Sequence, residues 1–181
     1  LVLKSPIDRV KSDKLARLAN QPRAYSFTQL KAIVTTQNAQ HAFSTALAYA
    51  AGLRAHELFT IQTVNDQPPS SHRTWSNDRF IGRSGERYTV VGKGGLVREV
   101  ILPKELAEKL ESKRLEAPQV VIDRGVKYTQ HYALSGGQNW SQSFTKASQN
   151  ALTFSNGAHG VRHSYAQERM NEIQSRGGSY R

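Results

Sequence analysis

Cysteine is absent from all 181 residues, which excludes disulfide staples, thiolate metal sites and thiol nucleophiles and leaves the redox compartment open. No run approaches the roughly 18 apolar residues that a membrane-spanning helix needs, and no opening segment resembles a secretory signal. These absences point to a soluble protein with no membrane partner; the location expected for it is the cytoplasm, nucleoid-associated if the source is prokaryotic. Acidic residues are scarce: 14 Asp and Glu stand against 25 Lys and Arg, a net charge of +11, so a polyanion is the first partner to consider. The length suits one globular domain. The chain begins with Leu1 rather than Met and is read as a piece of a longer protein.

The scarcity of acids is uneven. Between Asp13 and Glu57 there is none, while Lys14, Arg17, Arg23, Lys31 and Arg54 fall there. A second acid-free stretch runs from Asp123 to Glu168 and holds Arg124, Lys127, Lys146 and Arg162 with His131, His159 and His163. Folding that joins the two stretches would create a face attractive to phosphates; a generally basic, solvated surface is the alternative reading.

Local signals divide the chain. Residues 1–24 are basic, contain Pro6 and Pro22 and read as a linker or arm. The capping pair Ser26 and Gln29, with Tyr25 and Leu30 placed for a hydrophobic staple, predicts a helix from Phe27. Phe43, Ala46, Leu47 and Ala50 recur at helical spacing until Gly52, and Arg54, Glu57, Leu58 and Ile61 share one face of a further short helix. Residues 65–77 read as loop. Short β-favouring runs follow at Phe80-Ile81, Tyr88 to Val91 and Val97 to Leu102, the last two joined by Gly92-Lys93-Gly94-Gly95, a hairpin with Lys93 at its tip. Pro103 opens a helix that directs Leu106 and Leu110 to the core and carries Lys113 and Arg114 near its end. Residues 117–138 hold a candidate short strand, Val120 to Ile122, and polar loop. Asn139 with Gln142 forms a second capping pair for a helix facing inward through Trp140, Phe144, Ala147 and Ala151, and a last helix runs from about Ala158 to Gln174. The sum is an α+β, mainly α domain with a small antiparallel sheet.

The last helix gives the first chemical clue. At about 100° per residue, His159, Arg162 and His163 lie on the face that also carries Ala166, Met170 and Ile173. A guanidinium and two imidazoles on a core-directed face need compensation, either an internal network with a carboxylate such as Glu57 or a functional anion. His56, His72 and His131 have no metal-ligand spacing and read as surface or packing residues.

Two further blocks precede that helix: Gly52-Leu53-Arg54-Ala55-His56-Glu57-Leu58, and Gly92-Lys93-Gly94-Gly95 followed by Arg98. With His159-Gly160-Val161-Arg162-His163-Ser164-Tyr165-Ala166, in this order and spacing, the chain resembles the catalytic domain of the tyrosine recombinases, or phage integrase family, over roughly residues 25 to 175. That resemblance implies metal-independent, cofactor-free cleavage and rejoining of double-stranded DNA through a 3′-phosphotyrosyl link. It implies that Arg54 and Arg162 clamp the phosphate, that Lys93 protonates the leaving 5′ oxygen, and that His159 hydrogen-bonds the phosphate or assists proton transfer. Glu57 and His163 would support the cationic cluster, and further recombinase protomers would assemble on the same DNA. One phosphate can be clamped only by groups within reach of it, so Arg54, Lys93, His159 and Arg162 are expected to converge.

The family pattern continues beyond its last arginine block with a Leu-Gly-His segment and then the nucleophilic tyrosine. Only 19 residues follow Arg162, no Leu-Gly-His is among them, and neither Tyr165 nor Tyr180 stands where the nucleophile belongs. The expectation is a catalytic domain, residues 25–181, that stops before its nucleophile and would bind DNA without forming a covalent link. Two other readings remain: a DNA-binding module of this fold without strand exchange, and a basic RNA-binding protein.

Overall fold

The computed structural model describes residues 23–175. Most of the basic arm, residues 1–22, and Tyr180 lie outside the described residues. Six helices and five strands follow in the order α1 (Phe27–Thr36), α2 (Ala39–Ala51), α3 (Glu57–Thr60), β1 (Gln62–Thr63), β2 (Glu86–Val91), β3 (Val97–Leu102), α4 (Lys104–Glu111), β4 (Arg114–Asp123), β5 (Val126–Tyr132), α5 (Gly137–Leu152) and α6 (His159–Ser175). The mainly α, α+β character expected from the sequence is present. The strands form a three-stranded antiparallel sheet in the order β1-β2-β3 and a separate β4-β5 hairpin.

Capping chemistry starts α1 as expected: the Ser26 hydroxyl accepts from Gln29 N at 3.1 Å, and Ser26 N donates to Gln29 Oε1 at 2.9 Å. Two orphan amides of the first turn are thereby satisfied. Asn38 caps α2 through His41 N, and Gly52 ends it in the left-handed region at φ 66°. α1 packs on α5 and α2 on α6, so folding does bring the two acid-free stretches together. Leu30, Ile33, Phe43, Leu47, Trp140, Phe144 and Val161 fill the space between these helices, while Tyr88, Val90, Val100 and Leu102 extend the same core over one face of the sheet.

Gly52 has two reasons to be glycine. Its φ belongs to the region that costs an L-residue about 1–2 kcal/mol, and a Cβ there would lie 2.4 Å from the Tyr165 ring. Gly52→Ala should therefore lower unfolding free energy by about 2–4 kcal/mol, combining backbone strain with overpacking. Urea denaturation with an unchanged m-value is the check; a loss below about 1 kcal/mol would contradict it.

The incoming chain is tied to α6. Tyr25 N donates to Ser164 Oγ at 2.7 Å and Ser164 Oγ donates to Tyr25 O at 2.9 Å, while Tyr25 Oη donates to Gly157 O and accepts from Asn156 N. A Cβ at Gly160 would come within 2.5 Å of both Arg23 O and the Tyr25 ring, so the close approach depends on that glycine.

Four local expectations are corrected. Phe80-Ile81 forms turns rather than a strand. The helix after Pro103 ends at Glu111, and Arg114 opens β4. Residues 114–132 form a long hairpin with an irregular register between Arg114 and Gln119, not a short strand in polar loop. Asn139 does not cap α5, which starts at Gly137 behind an N-cap Gly136 that makes no side-chain bond. Asp123 at the end of β4 accepts from Gln138 N at 2.9 Å and so supplies a carboxylate to the first turn, where the helix dipole favours it.

Candidate active site

The site is organised around Glu57. This carboxylate is 0% exposed, and a buried charge survives only when paired and hydrogen-bonded. Three arginines meet it. Arg54 donates its backbone N–H to Oε1 at 2.7 Å and keeps its guanidinium 3.9 Å from Oε2. Arg98 forms a fork, Nε to Oε2 at 3.1 Å and Nη2 to Oε1 at 2.9 Å, with Nη2 also donating to Gly52 O. Arg162 approaches from α6 with Nη1 3.9 Å from Oε1.

The local sequence explains the placement. Gly52 closes α2 and turns the chain back, so Arg54 falls in the tight link to α3 and Glu57 opens that helix, with Glu57 N donating to Arg54 O. Arg98 shares a face of β3 with Val100 and Leu102 and pairs in register with Val90, which is wholly buried. Alternation along a strand thus directs this cation inward, and that was the signal available for it in the sequence. No role is expected for Arg98 from the sequence, yet its guanidinium binds both oxygens of Glu57.

Charges on this cluster do not balance locally: one carboxylate faces three guanidiniums. Burial works to raise the Glu57 carboxyl, but the Arg98 charge and fork, the Arg54 amide and Arg162 outweigh it and hold the group below its usual range. Arg162 is pushed down to about 10, by burial first and then by Arg54 and Arg98, with Glu57 opposing. It still carries its charge at neutral pH. Its Nη1 is buried without a hydrogen-bond partner among the described residues, an unmet donor of the kind that normally costs free energy.

His159 is exposed at the start of α6, and burial of its ring, followed by His163, Arg162 and Arg54, lowers its pKa. His163 is 2% exposed and stands edge-on to His159, ring centroids 5.0 Å apart. Lys93 lies exposed in a single 3-10 turn at the hairpin tip. Its neighbour Gly92 sits against the cluster, since a Cβ there would be 3.5 Å from Glu57 Oε2. Arg54, Arg162 and Glu57 therefore meet directly, His159 feels both arginines, and Lys93 stands one residue from the contact with Glu57. Tyr165, inside α6, faces away into other work: its ring lies against Gly52 and beneath the Arg83 guanidinium, 5.3 Å from the ring centre. No group of three or more His, Asp or Glu among the described residues is arranged to hold a metal ion.

A family model described as integrase matches residues 11–168, which include all three motif blocks. The chain belongs to the integrase family. No curated protein matches it. Among solved structures, this integrase domain is similar to the XerH site-specific recombinase in a pre-cleavage complex with its difH substrate, at 16% identity and a TM-score of 0.47. That alignment covers 86% of this chain and 44% of the recombinase, so the chain spans less than half the length of that neighbour. No helix among the described residues of the integrase domain is long and apolar enough to cross a membrane.

Proposed function

We propose that this integrase domain activates a DNA phosphodiester for site-specific recombination by cleavage and rejoining through a 3′-phosphotyrosyl intermediate. The observation that carries the reading is the meeting of Arg54 and Arg162, from segments over a hundred residues apart, at one buried carboxylate with an unmet Arg162 donor. Two planar guanidiniums suit the non-bridging oxygens, on which negative charge grows in the transition state. Lys93 protonates the 5′ oxygen as its bond to phosphorus breaks, and His159 donates to the same phosphate. Glu57 holds Arg54 and Arg162 in place, Arg98 neutralises Glu57 so that the other two arginines keep their charge for the substrate, and His163 backs His159.

In this reading the attacking tyrosine is neither Tyr165, whose ring is packed between Gly52 and Arg83, nor Tyr180. Residues 1–24 serve as a basic linker or arm, residues 25–181 as the catalytic domain, and further protomers share the DNA. Duplex binding should be largely electrostatic. Affinity should fall steeply between about 50 and 200 mM salt, because each neutralised phosphate releases counterion. A fluorescence titration showing salt-independent binding, or equal affinity for a neutral polymer, would remove the premise.

A further inference from the structure

An open cleft of about 660 Å³ lies beside the arginine cluster, between the Lys93 hairpin and the β4-β5 hairpin. On one wall are Gln62, Gln67 and residues 91–94; on the other are residues 126–129 and His131, with His56 and Thr60 also lining it. We propose that this cleft binds the backbone of the same DNA strand next to the phosphate held by Arg54 and Arg162, with Lys127 and His131 as contacts. The inference rests on the DNA-cleaving reading above and extends it to residues outside the three motif blocks.

Charge is the first reason. Among the described residues no Asp or Glu lines the cleft, whereas Lys93, Lys127, His56 and His131 do. Several arginines among the described residues are already committed to carboxylates: Arg79 and Arg87 share Glu99, Arg83 and Arg169 share Glu172, and Arg114 holds Glu111. The side chains of Lys93 and Lys127 form no hydrogen bond or ion pair with the described residues, so their charges remain available to a ligand. Rigidity is the second reason. The Tyr128 ring packs at 5.4 Å from Phe59 and 6.1 Å from His56, fixing β5 against α3. On the opposite wall Val91 N donates to Thr60 Oγ1, and Gln67 Nε2 donates to Thr60 O and Thr89 Oγ1. Continuity is the third. Gly92 lines the cleft and abuts Glu57, and His56 is its chain neighbour, so an extended polyanion clamped at the arginines runs directly into the cleft. Successive phosphates of one strand are a few ångströms apart along the helix axis, which makes a neighbouring phosphate the natural occupant.

The test uses the 181-residue chain and a 20-base-pair duplex, with dissociation constants measured from 50 to 200 mM salt. Lys127→Ala should weaken binding several-fold at 50 mM and reduce the slope of log K against log salt by about 0.9, the loss of one phosphate contact. His131→Ala should weaken binding in the same direction. Lys104→Ala removes the same charge from α4, outside the cleft, and should leave the slope unchanged. Equal effects of Lys127→Ala and Lys104→Ala would show a response to net charge only and overturn the cleft assignment. So would an effect of Lys127→Ala confined to an RNA duplex, or no effect at all, provided the variant unfolds at the wild-type temperature. A wild-type chain that fails to bind DNA would instead overturn the DNA-cleaving reading itself, so the two failures are distinguishable.

Discussion

Replacing Glu57 with alanine is expected to lower unfolding free energy by about 3–5 kcal/mol, the cost of removing one partner from a buried ionic cluster. Three guanidiniums would then face one another with no carboxylate between them. Glu57→Gln keeps the shape and one acceptor but removes the charge, and should recover part of the loss. Guanidinium or urea denaturation at pH 7 checks both, and a change under about 1 kcal/mol for alanine would contradict the central place of this carboxylate. The acid side of the stability profile gives a second readout. Because the folded-state pKa of Glu57 is held below its unfolded value, about 4.3, its contribution is full above that value and is lost as pH falls through the folded one. His159 adds to the same slope at higher pH: its folded pKa is also depressed, so the unfolded chain takes up a proton first as pH falls below about 6.5. Glu57→Gln should flatten the limb below pH 5 and leave the His159 region intact.

The second large effect concerns chemistry rather than stability. On the proposed DNA-cleaving reading, in a protein that carries this domain together with the attacking tyrosine, Arg162→Lys and Arg54→Lys should each reduce single-turnover cleavage of a nicked suicide substrate by about 10²–10³-fold, as for loss of one preorganised donor to a transition-state oxyanion. DNA affinity should change by less than about fivefold, because a lysine keeps the charge but not the planar fork. Arg162→Lys should also leave the free protein as stable as the wild type or more so, since it relieves a buried guanidinium whose Nη1 has no hydrogen-bond partner among the described residues. Parallel losses in cleavage and binding would show that the arginines only attract DNA.

Much of this site was legible in the sequence, because three short blocks carried it and because a cation on an apolar face asks for a partner. Arg162 on the inward face of α6 and Glu57 as its candidate carboxylate were both readable from helical spacing, and the two lie 3.9 Å apart. Arg98 was readable in principle from β alternation but was overshadowed by the lysine of the same hairpin. What escaped was non-local. The α5 start was misplaced because its carboxylate comes from Asp123, fifteen residues upstream across a hairpin, while Asn139 and Gln142 imitate a local cap. The β4-β5 hairpin reads mostly as loop in the sequence because Pro118 lies where its register slips and because Val120, Ile122 and Val126 are exposed, leaving little amphipathic pattern to detect. Glu111 belongs to the same class: it ends α4 and accepts from both Tyr88 and Tyr132, joining two sheets that share no strand pairing.

The stitching of Tyr25 to α6 has a mechanical side. The segment that leads into α1 and the helix that carries His159 and Arg162 share a reciprocal hydrogen-bonded pair at Ser164 and a glycine-dependent contact at Gly160. A displacement of Arg23 and Tyr25 must then either drag the first turns of α6 with it or shear the Tyr25–Ser164 pair. Such a joint behaves as a short lever whose fulcrum lies within one helical turn of Arg162, so tension arriving along the backbone reaches a guanidinium that approaches Glu57 no closer than 3.9 Å.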